Sequence, residues 1–299
     1  MPRTLPVHQT TEQRQADFVR WHRKQLAAGD SDPHYPVITG VGEALGSREH
    51  TAWLLLRHTG FYHMGSTLRS YAESPGPHLP DTHLAYPTGT ERRNHRVPTR
   101  FRKHWTSLLH HIDNHGGPIQ WLTPPHTGTR GWQEMMNRAL AVWGNGRYFA
   151  YKVAEMSACC LGTPINAPDA CHDGSSGPRK GLQDIYGPQP KDNTPETIRH
   201  LDALTEQLRA AAGQPDVARI ETSLCNFHSA HKGRYYIGQE IDEQLEQLTA
   251  VPSPLTEVAL NVRRNTFPHE YLGELHGRHT IDRARGRIYR DTGHMIERH

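Results

Sequence analysis

The chain has 299 residues, of which 35% are hydrophobic and 22% charged, and its formal net charge is +3. Its apolar runs fall far short of the roughly 18 residues that a membrane-spanning helix needs, and its first residues lack the apolar segment of a signal peptide. The four cysteines contain no Cys-x-x-Cys pair, which favours reduced thiols over disulfides or a metal site. We therefore expect a cytoplasmic location, no membrane partner and no bound metal.

The first half of the chain alternates predicted helices with predicted loops. Apolar residues at helical spacing predict three helices, at 9–28, after Ser47, and from Pro98 or Thr99 to Gly116. Ser47 suits an N-cap because its hydroxyl can accept a bond from an unpaired backbone N–H of the first turn. Two segments rich in turn-forming residues, 30–47 and 72–100, are predicted to be loops.

The second half follows the same pattern. Further helices are predicted at 130–143, from Arg147 to about Leu161, from Thr194 to Gly213, and over Val217–Phe227. Thr194 and Pro195 form a typical helix start, with threonine as N-cap and proline at the first helical position. Residues 162–193 are predicted to be a loop, and 255–262 is a weak strand candidate. The fold class is therefore mainly α, with long Pro/Gly-rich loops.

A glycine hairpin joins two of these helices, and it is the first candidate site. It consists of Gly144, Asn145, Gly146 and Arg147. Glycine at both outer positions permits a positive φ and a close approach of another backbone. The following helix directs its free N–H groups beyond the hairpin, which with Arg147 is typical of a phosphate site. The segment resembles the helix-hairpin-helix of DNA glycosylases, except that Trp143 replaces the usual proline; a plain αα-hairpin is the alternative.

A dense basic patch lies between Arg92 and His104, where only Glu91 opposes the positive charge. A local patch on a nearly neutral protein indicates contact with a polyanion. The alternative is a solvated helix face. The residues that we expect to contact DNA there are Arg92, Arg93, Arg96 and Arg100.

An aspartate-rich loop is followed by a run of Gly, Ser, Arg and Lys. Asp169 and Asp173 precede the segment Gly174–Gly181, which contains Arg179 and Lys180. Backbone amides, hydroxyls and cations of this kind can surround an anionic group. The segment is not a P-loop, because Gly-x4-Gly-Lys-Ser/Thr is absent. An exposed flexible loop is the alternative.

Two more segments carry polar and aromatic groups suited to a pocket. The first ends an apolar helix and contains Arg57, His58, Tyr62 and His63. The second combines the carboxylate of Glu221 with a downstream cluster of Arg234, Tyr235 and Tyr236. An arginine beside paired tyrosines can stack a base and hold a phosphate. Each segment can equally be a helix end with a packed turn.

Together these segments resemble the phage amino acid:DNA transferase family, earlier described as α-glutamyl/putrescinyl-thymine pyrophosphorylases. The resemblance covers roughly residues 45–250 and includes Lys152 and Glu155 in the helix after the hairpin. It implies a transferase domain over 45–250, an N-terminal helical extension over 1–44 and a basic C-terminal extension over 251–299. It also implies a helical fold similar in outline to helix-hairpin-helix DNA glycosylases.

The reaction implied by the resemblance is attachment of an amino acid or polyamine amine to an activated 5-hydroxymethyl-deoxyuridine in double-stranded DNA. Phosphate or pyrophosphate is the leaving group, and no organic cofactor is required. In this scheme Arg179 and Lys180 stabilise the leaving group, and Asp169, Asp173 or Glu221 takes the proton of the amine. The target base must be flipped out of the duplex. A viral origin would place the reaction in the host cytoplasm.

The substrate-binding residues expected from this resemblance are Arg57, His58, Tyr62, His63, Lys152, Arg234, Tyr235 and Tyr236. Two other functions stay open: a monofunctional DNA glycosylase with Asp169 as catalytic acid, and a noncatalytic DNA-binding protein. A glycosylase that cleaves the strand through a Schiff base is disfavoured, because Tyr148 stands where such enzymes carry a lysine.

Overall fold

The computed structural model describes residues 9–27, 29, 31–231, 244, 245, 248 and 254–265. In these residues the chain forms twelve α-helices, α1 Thr11–Ala27, α2 His34–Ala44, α3 Arg48–Phe61, α4 Met64–Glu73, α5 Pro98–Asn114, α6 Pro118–Leu122, α7 Gly128–Ala141, α8 Arg147–Leu161, α9 Gly177–Tyr186, α10 Pro195–Ala212, α11 Val217–His231 and α12 Pro254–Asn265. Two 3-10 turns, Asp81–Ala85 and Thr90–Arg96, precede α5. The prediction of a mainly α fold is confirmed.

Local capping signals fix several helix starts where the sequence places them. The Ser47 side chain accepts a bond from the backbone N–H of His50 and caps α3. Thr194 caps α10 in the same way through Thr197 N–H, and Pro195 opens the helix. Gly213 ends α10 with a φ of 66°, a left-handed conformation that glycine adopts without strain.

Three predicted loops or strands are helices instead. Residues 30–47 contain α2, 162–193 contain α9, and 255–262 lie inside α12. The glycines of α2 and α9 suggested loops, but they serve close packing: a Cβ on Gly42 would collide with Thr51. One on Gly181 would collide with the Leu224 backbone. The weak strand prediction was wrong because the apolar residues of α12 also fit a helical stripe.

The described chain forms two compact units. One unit takes the described parts of residues 1–33, 167–240 and 264–299, and the other those of 34–166 and 241–263. This division follows packing and not the boundaries at 44 and 250 expected from the resemblance, which stay a prediction. We call the first unit the α9 unit and the second the α8 unit.

The α9 unit packs α1, α9, α10 and α11 around one apolar core. The core consists of Phe18, Trp21, Leu182, Ile185, Leu201, Leu208, Ile220, Leu224 and Phe227. The ring of Phe227 meets Phe18 edge-on at a centroid distance of 5.5 Å, a favourable aromatic geometry. This core holds α9 firmly and thereby fixes the loop that leads into its N-terminus.

The α8 unit surrounds α3, a helix in which every residue from Thr51 to Phe61 is buried. Helix α8 is almost as deeply buried, with 11 of its side chains, Lys152 and Glu155 among them, inside the unit. Charged side chains are seldom fully buried unless they are paired. The buried polar residues of α3 and α8 are therefore expected to have bonded partners.

Candidate functional site

A chain of hydrogen bonds links two buried histidines of the α8 unit. His58 Nδ1 lies 3.1 Å from Thr67 Oγ1, and His58 Nε2 lies 3.0 Å from His34 Nδ1. Thr67 Oγ1 donates its one proton to the carbonyl of His63. His58 Nδ1 must therefore be the donor to Thr67, since that hydroxyl has no other proton to give.

This arrangement fixes both tautomers. Burial lowers the pKa of His58 to about 3, and burial also holds the pKa of His34 well below its usual value. Both rings are thus neutral at physiological pH, His58 Nε2 is an acceptor, and His34 Nδ1 donates to it. His34 Nε2 then carries a lone pair, and none of the described residues forms a hydrogen bond with it.

Tyr62 lies against this pair in an unusual backbone conformation. Its φ of 46° is in the left-handed region, which a tyrosine rarely adopts. Its ring is tilted over His58 at a centroid distance of 5.0 Å and meets Phe149 edge-on at 5.6 Å. Strained residues of this kind often lie at functional sites.

A buried ion pair in α8 completes the cluster. Lys152 Nζ donates to Glu155 Oε2 over 2.7 Å, and the Tyr35 hydroxyl donates to the same oxygen over 2.9 Å. The Lys152 charge also contributes to the low pKa of His34. The structure therefore brings together His58, Tyr62 and Lys152, which the sequence analysis singled out, with His34 and Tyr35, which it missed.

Two other residues predicted to bind substrate have structural partners. The Arg57 guanidinium donates to the carbonyls of Ser74, Gly76 and His78 and so anchors the loop after α4. His63 caps α4 by accepting from Ser66 N–H, and burial lowers its pKa to about 4. Arg57 is thus a loop anchor and does not line an open pocket. The predicted residues Arg234, Tyr235 and Tyr236 lie outside the described residues.

The hairpin has one left-handed glycine, not two. Gly144 has a φ of 88°, whereas Gly146 has a φ of −98° and caps α8 in an extended conformation. The expected positive φ of Gly146 was therefore wrong. Asn145 stabilises the turn, because its side-chain amide donates a hydrogen bond to the Ala139 carbonyl. Arg147 opens α8 and is exposed.

Only part of the predicted basic patch is exposed to solvent. Arg93, Arg96 and Arg100 are exposed, but Arg92 is only 3% exposed. Its guanidinium donates to the Thr59 carbonyl and to Asn145 Oδ1 and covers the ring of Phe149. Arg92 thus holds the hairpin against α3, and its contact with DNA stays a prediction.

In the α9 unit, a cavity of about 380 Å³ lies at the N-terminus of α9. Its walls carry Ser175, Ser176, Lys180, Lys191 and Asn193. The Ser176 side chain makes no capping bond, so the first N–H groups of α9 lack a side-chain cap. Backbone donors of this kind, together with the positive end of the helix dipole, favour an anion.

The two cations predicted in this segment differ in role. Arg179 donates to the backbone carbonyls of His172, Lys191 and Asp192 and to the side chain of Asn193. It therefore braces the cavity wall. Lys180 is exposed, and no described side chain bonds to its ammonium group.

Carboxylates near this cavity form an acidic cluster. Asp173 is exposed on the wall, and Asp169 accepts from the backbone N–H of Cys171. Burial, with the charges of Asp169 and Asp173, raises the pKa of Asp202 to about 6. The sequence analysis missed Asp202 because it lies in an ordinary amphipathic helix, where nothing in the local pattern marks it.

Glu221 lies in a separate buried polar group of the α9 unit. It is almost fully buried in α11, beside Thr222, whose hydroxyl donates to Asp32 Oδ2 over 2.8 Å. The structure therefore does not place Glu221 among the residues that line the cavity.

Residues 27–236 match the amino acid:DNA transferase family. Since this match covers most of the chain, the protein belongs to that family and is a transferase that acts on DNA. It is also similar to a putrescinyltransferase of Delftia phage PhiW-14, with 24% identity over 232 residues, which are 73% of this chain and 74% of the relative.

None of the described helices is both long and apolar enough to cross a bilayer. The described His, Cys, Asp and Glu side chains contain no group of three or more that could hold a metal ion.

Proposed function

We propose that this transferase hypermodifies thymine in double-stranded DNA. It attaches the amine of a free amino acid or polyamine to the 5-methylene carbon of an activated 5-hydroxymethyl-deoxyuridine. The C–N bond forms, the C–O bond to the activating group breaks, and phosphate or pyrophosphate leaves. Family membership and the similarity to a putrescinyltransferase support both the DNA substrate and an amine donor.

The observation that carries this proposal is the cavity at the N-terminus of α9. A departing phosphate gains negative charge in the transition state, and donors fixed in advance stabilise that charge most effectively. The cavity offers the positive end of the α9 dipole without a side-chain cap, the hydroxyls of Ser175 and Ser176, and the ammonium of Lys180. Its volume accommodates a phosphate or a pyrophosphate.

The attacking amine must lose a proton, and the acidic cluster beside the cavity suits this step. Asp169 and Asp173 remain the proposed bases, and Asp202 joins them because a carboxylate with a pKa of about 6 accepts a proton readily near neutral pH. Glu221 is a less suitable base because it is almost fully buried and is not among the residues that line the cavity.

DNA contacts are proposed for the hairpin and for the exposed part of the basic patch. Gly144, Gly146 and Arg147 would approach the phosphate backbone, and Arg93, Arg96 and Arg100 would add charge. The target base must leave the duplex before its 5-methylene can react. His58, Tyr62 and Lys152 are almost fully buried, so we propose no direct contact between these side chains and the DNA.

A matched pair of variants tests the leaving-group site. Lys180→Ala should lower transfer about 10²- to 10³-fold, as loss of one oxyanion-type donor does, without changing the thermal unfolding midpoint, because Lys180 is exposed. Arg179→Ala should lower that midpoint, because four acceptors lose their donor. DNA binding should change little in Lys180→Ala, since many cations share that contact. Arg199→Ala, an exposed position on α10, is the control.

The assay is nucleoside mass spectrometry on DNA that carries phosphorylated or pyrophosphorylated hydroxymethyl-deoxyuridine, with binding measured in parallel. A heavier nucleoside supports transfer. A free base would instead indicate a glycosylase, and unchanged nucleosides a DNA-binding protein. Near-normal turnover by Lys180→Ala, or equal losses of binding and turnover, would remove the leaving group from this cavity.

A further inference from the structure

The α8 unit exposes an indole beside a cationic groove that the proposed mechanism does not use. Trp143 precedes the hairpin glycine and is 39% exposed, one of the most exposed large apolar side chains described. It borders a groove of about 650 Å³. The other residues that line the groove are Thr99, Arg102, Lys103, Thr106, Ser107 and His110.

The backbone of Trp143 is clamped to α5 on both sides. Its N–H donates to Ser107 Oγ over 2.9 Å, and its carbonyl accepts from His104 Nδ1 over 2.9 Å. His104 is completely buried, and burial holds its pKa well below the usual value. Because His104 stays neutral with Nδ1 protonated, the exposed indole has a fixed support.

The groove wall follows one face of α5, and its chemistry suits phosphate. The spacing of Thr99, Lys103, Thr106 and His110 places two hydroxyls, one ammonium group and one imidazole in one row. Lys103 Nζ lies 4.5 Å from the centroid of the indole, a cation–π distance. None of the described residues that line the groove is a carboxylate, although Arg102 pairs with Asp81 outside it.

We propose that this groove binds an unpaired nucleotide of the DNA, whose base stacks on Trp143 while its phosphates lie along the cations of α5. Cationic grooves with aromatic platforms are the usual means of holding single strands. DNA is the occupant because the family acts on DNA and because the lining combines positive charge with hydroxyls. A paired base cannot stack on the indole, so the groove selects DNA that has already opened.

Binding of unmodified oligonucleotides tests this inference. Fluorescence anisotropy would compare a thymine-containing single strand, a fully paired duplex, and a duplex with one unpaired thymine. Trp143→Leu should weaken binding of the two DNAs with unpaired bases about 10-fold, as loss of one base–aromatic stack does. Its affinity for the paired duplex should stay within about 2-fold, and Trp143→Phe should keep most of the affinity for all three.

Leu140→Ala is a matched control, because Leu140 is similarly exposed, at 40%, and lies outside the groove. It should bind all three DNAs like the native protein. Lys103→Ala should reduce the slope of log affinity against log salt for single strands by about 0.7, the contribution of one phosphate contact. Thermal unfolding of each variant reports whether folding is intact.

The inference is overturned if Trp143→Leu weakens all three DNAs equally, or weakens none of them. It rests on DNA as the substrate but not on thymine chemistry, since the test contains no amine and no activated base. The binding assay can therefore contradict the role of the groove while the transfer assay still yields a heavier nucleoside. The transfer assay can likewise fail while the groove still binds unpaired bases.

Discussion

Two segments, one in each unit, both combine glycine with arginine but use their glycines differently. In the hairpin of the α8 unit, Gly144 adopts a φ of 88° that makes the turn possible. In the α9 unit, Gly177 and Gly181 are helical, and a Cβ on either would collide with α11. One segment needs glycine for its dihedral angles and the other for interhelical distance, although both were predicted as anion sites.

Each of these two segments has one arginine that holds the structure together and one cation that is exposed to solvent. Arg92 braces the hairpin, and Arg179 braces the cavity wall. Arg147 and Lys180 stay exposed beside them. An arginine whose N–H groups are already bonded to carbonyls has little left to offer a phosphate. Exposure thus separates scaffold cations from candidate binding cations.

Acid should destabilise both units, because each buries neutral histidine. Burial lowers the pKa of His58 in the α8 unit to about 3 and that of His172 in the α9 unit to about 4. The unfolded chain binds a proton at these rings below about pH 6.5, and the folded chain does not, so stability is full above pH 6.5 and is lost as the pH falls toward 4. Each such ring should cost about 2 kcal/mol between pH 7 and pH 5.

Urea unfolding at the two pH values measures this loss, and a variant assigns it. His172→Gln can keep a bond to Thr205 but cannot be protonated, so its stability should fall about 2 kcal/mol less than that of the native protein. His200→Gln, at an exposed position, should behave like the native protein. Equal pH dependence in all three proteins would show that His172 does not stay neutral in the folded state.

Removing the hairpin brace should also destabilise the fold. Arg92→Ala leaves the Thr59 carbonyl and Asn145 Oδ1 without their charged donor and uncovers the ring of Phe149. Loss of buried charged hydrogen bonds should cost about 3 kcal/mol of unfolding free energy. Arg93→Ala, at the exposed neighbouring position, should cost almost nothing but should weaken DNA binding. Equal stability of the two variants, measured in urea, would contradict the assignment of Arg92 to the scaffold.

Local structural signals could be predicted from the sequence, whereas contacts between distant residues could not. Caps such as Ser47 and Thr194 were predictable because a few adjacent residues determine them. The pairing of His34 with His58, and of Asp202 with Asp169 and Asp173, depends on residues 24 or more positions apart in the chain. No local pattern encodes such pairs. The burial of Arg92 was not predictable for the same reason, since its partners Thr59 and Asn145 are distant in sequence.

Substitution of the hairpin glycines should have the smallest effect on stability. The two positions separate the requirement for a positive φ from the requirement for space. Gly144→Ala forces an L-residue into the left-handed region at a cost of about 1 kcal/mol, and it should lower the thermal midpoint and weaken DNA binding. Gly146→Ala should do neither, because Gly146 has a φ of −98° and nothing lies within 4 Å of an added Cβ. If the two variants unfold at the same temperature, Gly144 does not need its positive φ.

A different outcome would locate the DNA contact. If Gly146→Ala keeps its thermal midpoint but loses DNA binding, the DNA backbone approaches Gly146 too closely for a methyl group. The phosphate contact would then lie at the first turn of α8.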